Sequence, residues 1–198
     1  MFVFAAFLVF AYLMGSIPTA VLYGRLVHGV DIRKHGSGNA GATNSLRVLG
    51  KKAGITVLII DMLKGIIPIL VCRYFFSDDP ETLIIIGFAS VIGHLLPVFA
   101  GFKGGKGVAT SFGVILALYP LAALVCLIVF ILLVYLTKYV SLSSMAGSLS
   151  FLVFSLIALP ELRFFQLMCL VLFLLLVFTH RENIKRLLKG TENRYPPK

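Results

Sequence analysis

The amino-acid sequence predicts an all-α integral membrane protein of seven transmembrane helices, some short or broken, with its N-terminus outside and its C-terminus inside. Three observations predict it. The 198-residue chain is 59% hydrophobic and only 13% charged, with a mean hydropathy of +1.01, whereas a soluble domain has about a quarter of its residues charged. Seven apolar stretches approach the roughly 20 residues that a spanning helix needs. Finally, 15 of the 18 Lys and Arg residues collect on one side once those stretches are taken as crossings.

The first stretch, 2–23, reads as a retained span, because Met1-Phe2-Val3-Phe4 has no basic n-region and no small-residue cleavage site follows. The next six are 54–76, 82–100, 107–118, 120–137, 142–159 and 162–180. The fourth is too short to span alone and abuts the fifth at Tyr119-Pro120, where the proline disfavours an unbroken helix. Two short helices joined by a turn and one kinked helix are both open at this point, as are totals of five or six spans. Cys72, Cys126 and Cys169 each stand alone in an apolar stretch and read as fillers. No metal site and no cofactor are expected.

With seven crossings, Arg25, Arg33, Lys34, Arg47, Lys51, Lys52, Lys103, Lys106, Lys138, Arg181, Lys185, Arg186, Lys189, Arg194 and Lys198 share one face. The opposite loops receive Arg73 and Arg163 beside Asp78, Asp79, Glu81 and Glu161. The positive-inside rule then sets the orientation. Residues 1–198 read as a single polytopic domain with functional loops 24–53 and 101–110 and the tail 180–198 on the cytoplasmic face. The net charge of +10 belongs to a membrane protein's inner face, so membrane lipid is an expected partner and nucleic acid is not. A monomer is the simplest assembly.

Orientation alone does not explain why small polar residues crowd beside these charges. Residues 36–47, GSGNAGATNSLR, open on a G-x-G-x-x-G pattern, but no strand precedes it and no βαβ unit fits a chain of apolar helices. What remains is a loop whose glycines admit a ligand close to the backbone. Ser37, Asn39, Thr43 and Asn44 add donors, the following helix start favours an anion, and Arg47 can clamp phosphate. Residues 93–113 include Lys103-Gly104-Gly105-Lys106-Gly107 and Thr110. This is no Walker A motif, since Ala100 and Gly107 stand where Gly and Ser or Thr are required, yet a basic glycine turn opening a helix cradles phosphate. His94 is open between packing and a direct role. Residues 179–192 read as an amphipathic interfacial helix with His180, Glu182 and Asn183 on its first turn. Asp61 and Lys64, one turn apart within the second span, are expected to pair.

The three segments resemble the signature motifs of the bacterial acyl-phosphate:glycerol-3-phosphate acyltransferases. The resemblance covers essentially the whole chain and rests above all on FKGGKGVAT and HRENIKRL. It implies transfer of a fatty acyl group from acyl phosphate to the 1-hydroxyl of glycerol 3-phosphate in the bacterial cytoplasmic membrane, giving lysophosphatidic acid and phosphate. It implies substrate contacts at Ser37, Asn39, Thr43, Asn44, Arg47, Lys103, Gly104, Gly105, Lys106, Gly107, Thr110, Ser144, His180, Glu182 and Asn183. Arg47 and Lys106 would stabilise charge, and the proton would pass to the substrate's own phosphate or to His180. Leu96 replaces an aromatic residue frequent in the family, a change expected to affect packing only. Two other readings compete: a transporter of small phosphorylated anions, for which no internal repeat is evident, and a non-enzymatic lipid-binding scaffold.

Overall fold

A computed structural model describes residues 2–196; Lys198, one of the expected inner-face charges, lies outside the described residues. The described residues form ten α-helices with two short 3-10 turns. The first expected span is two helices, α1 (Phe2–Gly15) and α2 (Thr19–His28). Pro18 cannot donate to the ladder, and Ser16–Pro18 interrupt the helix. A short α3 (Ala42–Leu49) follows, then the long α4 (Lys51–Phe75), α5 (Pro80–Leu95) and the 11-residue α6 (Val108–Leu118). The remainder is α7 (Pro120–Thr137), α8 (Val140–Ala158), α9 (Arg163–Thr179) and α10 (Arg181–Leu188). Tyr119-Pro120 thus separates two helices, with proline opening the second.

Among the described residues five segments are long and apolar enough to cross a membrane, or six if α9 and α10, bent by 59°, count as one. The difference from seven lies chiefly in α6, whose 11 residues extend only about 16 Å against a hydrocarbon core of roughly 30 Å.

The chain divides into two compact units, one ending at Leu118 and the other beginning at Tyr119. In the first, α4 is the central helix and packs against α1, α2, α3, α5 and α6. Small residues permit close approach, as is usual between membrane helices. A side chain at Gly65 would strike the Thr110 carbonyl and come within 2.9 Å of the Val114 nitrogen. One at Gly113 would strike the Met62 backbone. Arg73 near the end of α4 donates to the Ala117 carbonyl at 3.0 Å, so α4 and α6 run in the same direction and α6 begins beside the middle of α4.

Pro68 lies inside α4 and removes the N–H that would have served the carbonyl of Lys64. In a span, an unserved carbonyl is costly. Ser90 of α5 answers it, its hydroxyl donating to the Lys64 carbonyl at 2.6 Å.

In the second unit α8 packs against both α7 and α9. Phe165 is fully buried and makes edge contacts with Tyr119 and Phe151. Gln166 of α9 donates to the Leu159 carbonyl at 2.8 Å, serving a free carbonyl at the end of α8. Of α7, only Ala122, Ala123 and Cys126 are buried, which leaves a wide apolar surface for lipid. All three cysteines are buried and unbridged.

Candidate functional site

The first two polar segments fold together within the first unit. Asp31 caps a 3-10 turn (Ile32–Lys34) by accepting from the Arg33 amide at 3.1 Å. The Arg33 guanidinium donates to both carboxylate oxygens, at 3.0 and 2.8 Å, and Arg25 adds a bond of 2.8 Å. The Arg33 guanidinium, opposed by partial burial and helped by Arg25, holds the Asp31 carboxyl well below the usual carboxylate range. Its remaining nitrogen donates to the Ala100 carbonyl at 3.1 Å, which ties the first loop to the second.

Asn44 organises the first loop from within. It is 1% exposed, donates to the carbonyls of Ile32 and His35 at 3.2 and 3.0 Å and accepts from the Ser37 amide at 2.9 Å. Both of its N–H groups are therefore committed to the loop. Gly36 has a left-handed φ of 60°, and a side chain there would also strike the Asn44 amide oxygen. The loop ends at Gly41, which caps α3 without a side-chain bond, so the first amides of α3 are free to meet an anion. Ser37 and Thr43 are exposed, and Asn39 and Arg47 are half-buried. Thr43 and Arg47 lie one turn apart on one face of α3. Among the described residues, the side chains of Ser37, Asn39, Thr43, Arg47 and Lys103 make no hydrogen bond or ion pair.

The second loop follows α5 through a 3-10 turn at Val98–Ala100. Phe102 has a left-handed φ of 60°, and its amide donates to the Pro97 carbonyl at 2.9 Å. Gly104 packs on the backbone carbonyls of His94 and Leu95, and the Gly105 amide donates to the His94 carbonyl at 3.2 Å. Lys103 is exposed, Lys106 half-buried and Gly107 buried. Thr110 is fully buried in the α4–α6 contact.

Asp61 and Lys64 pair as expected, with 2.6 Å between Nζ and Oδ1 and side chains 2% and 3% exposed. Lys64 also donates to the Ile17 carbonyl at 2.6 Å, at the break between α1 and α2. His94 faces the same carboxylate, Nδ1 lying 3.8 Å from Asp61 Oδ1. These groups stand ten residues into α4, roughly 15 Å from its start. The glycine turn docked on His94 is therefore well along α4.

In the second unit, the structure brings the third segment onto the start of α8. Glu192 is the hub: it accepts from Asn183 at 2.6 Å, from Arg186 at 2.7 Å and from Ser141 at 2.9 Å. His180 is 2% exposed, with Nδ1 2.8 Å from the Leu176 carbonyl. A carbonyl only accepts, so in the neutral ring Nδ1 carries the proton and Nε2 the lone pair. Ser144 is buried and donates to the Val140 carbonyl at 2.8 Å. Glu182 instead faces solvent, 58% exposed, paired with Lys185 at 3.0 Å.

Sequence reasoning did not single out Asp31, Arg33 or Glu192. Asp31 carries a weak signal, as the one carboxylate within the strongly basic stretch 24–53. Among the described residues no group of three or more His, Cys, Asp or Glu could hold a metal ion.

Known proteins match this chain over nearly its whole length. The profile of the glycerol-3-phosphate acyltransferase family matches residues 5–190. A glycerol-3-phosphate acyltransferase of Aquifex aeolicus is 47% identical over 193 residues, covering 96% of this chain and 99% of the relative. One of Fusobacterium nucleatum is 43% identical over 195 residues, covering 97% and 98%. The fold matches a crystal structure of PlsY (YgiH), an integral membrane glycerol 3-phosphate acyltransferase, in its glycerol 3-phosphate form. The TM-score is 0.92 at 44% identity, covering 97% of this chain and 95% of that one. The lysophosphatidic acid form of PlsY matches with a TM-score of 0.88. The chain therefore belongs to the PlsY-type family of integral membrane glycerol-3-phosphate acyltransferases.

Proposed function

We propose that the protein transfers a fatty acyl group from acyl phosphate to the 1-hydroxyl of sn-glycerol 3-phosphate, at the cytoplasmic face of a bacterial cytoplasmic membrane. The hydroxyl oxygen attacks the acyl carbon, the anhydride C–O bond breaks, and the hydroxyl proton leaves on inorganic phosphate. Lysophosphatidic acid is the other product. The carrying observation is that two anion-suited turns are tied to each other at Arg33 and Ala100 while Arg47 and Lys103 remain uncommitted. Both substrates bear a phosphate, and both would find donors there.

The donor is a mixed anhydride with a good leaving group, so the protein's task is to hold charge and align reactants. Arg47, Lys106 and the free amides of the turns supply electrostatic stabilisation. Positioning supplies much of the remaining rate. Ser37, Asn39, Thr43 and Lys103 contact substrate, with Gly104, Gly105 and Gly107 shaping the turn. Asn44 acts by holding the first loop. Thr110 acts through the α4–α6 contact; in the second unit, Ser144, Glu182 and Asn183 contact substrate. Substrate phosphate takes the proton; the alternative acceptor is His180, whose Nε2 lone pair follows from its bond to the Leu176 carbonyl.

The seventh crossing is made by α6 together with the loop before it, which keeps the N-terminus outside and the C-terminus inside. The parallel course of α4 and α6 supports this reading. The test is purified protein in detergent given acyl phosphate and glycerol 3-phosphate. Stoichiometric lysophosphatidic acid and phosphate are expected. Activity with acyl-CoA or acyl carrier protein thioester and none with acyl phosphate would overturn the donor. Phosphate movement across sealed vesicles without acyl transfer would favour a transporter.

A further inference from the structure

The buried groups around Asp61 lie outside the loops that face substrate, yet they end on one of them. We propose that His94 is a positioning residue that holds the Gly104–Gly105 turn in its phosphate-facing form, and that the buried Asp61–Lys64 pair keeps His94 oriented. The proposal rests on the reading of that turn as a phosphate site.

The geometry runs in one chain. Lys64 caps the Ile17 carbonyl at the break in the first span, at 2.6 Å, and pairs with Asp61 at 2.6 Å. Asp61 faces His94 Nδ1 at 3.8 Å. At 3.8 Å the contact is electrostatic and not a hydrogen bond, and the tautomer that the carboxylate favours carries the proton on Nδ1 and the lone pair on Nε2. The Nε2 edge fills the space that a side chain at Gly105 would need, and the Ala40 carbonyl of the first loop borders it at 2.8 Å from such a side chain. The Gly105 amide is bonded to the carbonyl of the same histidine at 3.2 Å. One residue thus contacts the turn through both its backbone and its ring.

A buried ion pair is weak evidence for stability, because apolar replacements of both partners are often neutral or better. Lys64 and Asp61 compensate each other and leave a neutral ring next to the turn. Their contribution to the site is therefore orientation rather than net charge.

The test uses full-length protein in detergent. Three readouts are taken: thermal unfolding, glycerol 3-phosphate binding measured by its protection against unfolding, and kcat and KM with acyl phosphate. His94→Ala should raise the apparent Kd and KM for glycerol 3-phosphate by ~10–100-fold, the scale on which small misplacements act, with a modest change in Tm. His94→Gln, whose side chain fills part of the ring's space beside Gly105, should recover part of that loss. The double variant Asp61→Leu with Lys64→Met should lose some Tm, because the Ile17 carbonyl loses its donor, and should show the same binding defect as His94→Ala. Normal binding by His94→Ala overturns the role of the histidine. Normal binding by the double variant overturns the orienting role of the pair. A defect that follows Tm and is not recovered by Gln reduces His94 to packing. Wild-type protein that binds glycerol 3-phosphate but does not turn over acyl phosphate refutes the donor in the proposed function, and the binding comparison still decides the role of His94.

Discussion

The polar segments of the two units are built on opposite principles. In the first unit, loops are held by backbone groups and by residues set behind them: Asp31 and Arg33, Asn44, and His94 on the glycine turn. The side chains in front, of Arg47, Lys103, Ser37, Asn39 and Thr43, bond to nothing among the described residues. In the second unit the side chains bond to each other. Asn183, Arg186 and Ser141 converge on one carboxylate that is 9% exposed. On the proposed function, the first arrangement leaves side chains ready for an outside anion, whereas the second is built around the internal Glu192 network. A pattern of polar residues in the sequence does not distinguish these, because both use the same residue types.

Arg47→Ala tests the first principle most severely. It removes a cation from a scaffold that does not depend on it, so turnover should fall by about 10²–10³-fold with Tm unchanged. A near-normal rate would take Arg47 away from the phosphate. Gly105→Ala should come next, with a loss of ~10²-fold, because the added methyl strikes the His94 ring and the Ala40 carbonyl. Normal kinetics in that variant would show that the turn can shift freely.

Glu192→Ala tests the second principle and should appear first in stability. It leaves three donors without their acceptor, at a cost of about 2–4 kcal/mol, and activity should decline in step with Tm. Burial alone would push the Glu192 carboxyl up, but the donors from Asn183, Arg186 and Ser141 outweigh it and hold the carboxyl below its ordinary value of 4.5. A depressed folded pKa means the stabilisation is complete above the unfolded value and is lost as pH falls through the folded one. Wild-type protein should therefore lose more Tm than Glu192→Gln when the pH is lowered below about 4.5, and parallel curves would disprove the linkage. Glu182→Gln should do least to stability. Its partner Lys185 is 65% exposed, and such surface pairs contribute little, so no measurable change in Tm is expected. A loss of rate is expected from its place in the binding set, and a normal rate would take Glu182 out of it.

Most of the helices were legible because apolar runs and prolines mark them. The start of α7 at Pro120 and the extent of α8 fall where hydropathy places them. The break at Ser16–Pro18 was hidden by the apolar residues on both sides, although Pro18 marks it. Loop chemistry was legible as composition, and the pairing of Asp61 with Lys64 followed from their helical spacing. What could not be read was the division of labour inside the loops. That Asn44 faces inward while Asn39 does not is decided by carbonyls of Ile32 and His35. That Glu192 reaches Ser141, 51 positions earlier, depends on a fold no local pattern encodes. The depth of the glycine turn along α4 was equally invisible, since it follows from α6 being short and beginning beside the middle of α4.

The hydroxyl that Ser90 lends to the Lys64 carbonyl has a consequence for how this sequence can change. The bond exists because Pro68 withholds an amide, so the two positions are coupled although they lie on different helices. Ser90→Ala alone should be harmful, and Pro68→Ala alone should leave a hydroxyl competing with a restored amide. Made together, the two changes rebuild an ordinary helical turn. Any route through sequence space that loses one of these residues should therefore tend to lose the other, an epistatic pair visible as a double-mutant cycle with a large interaction term.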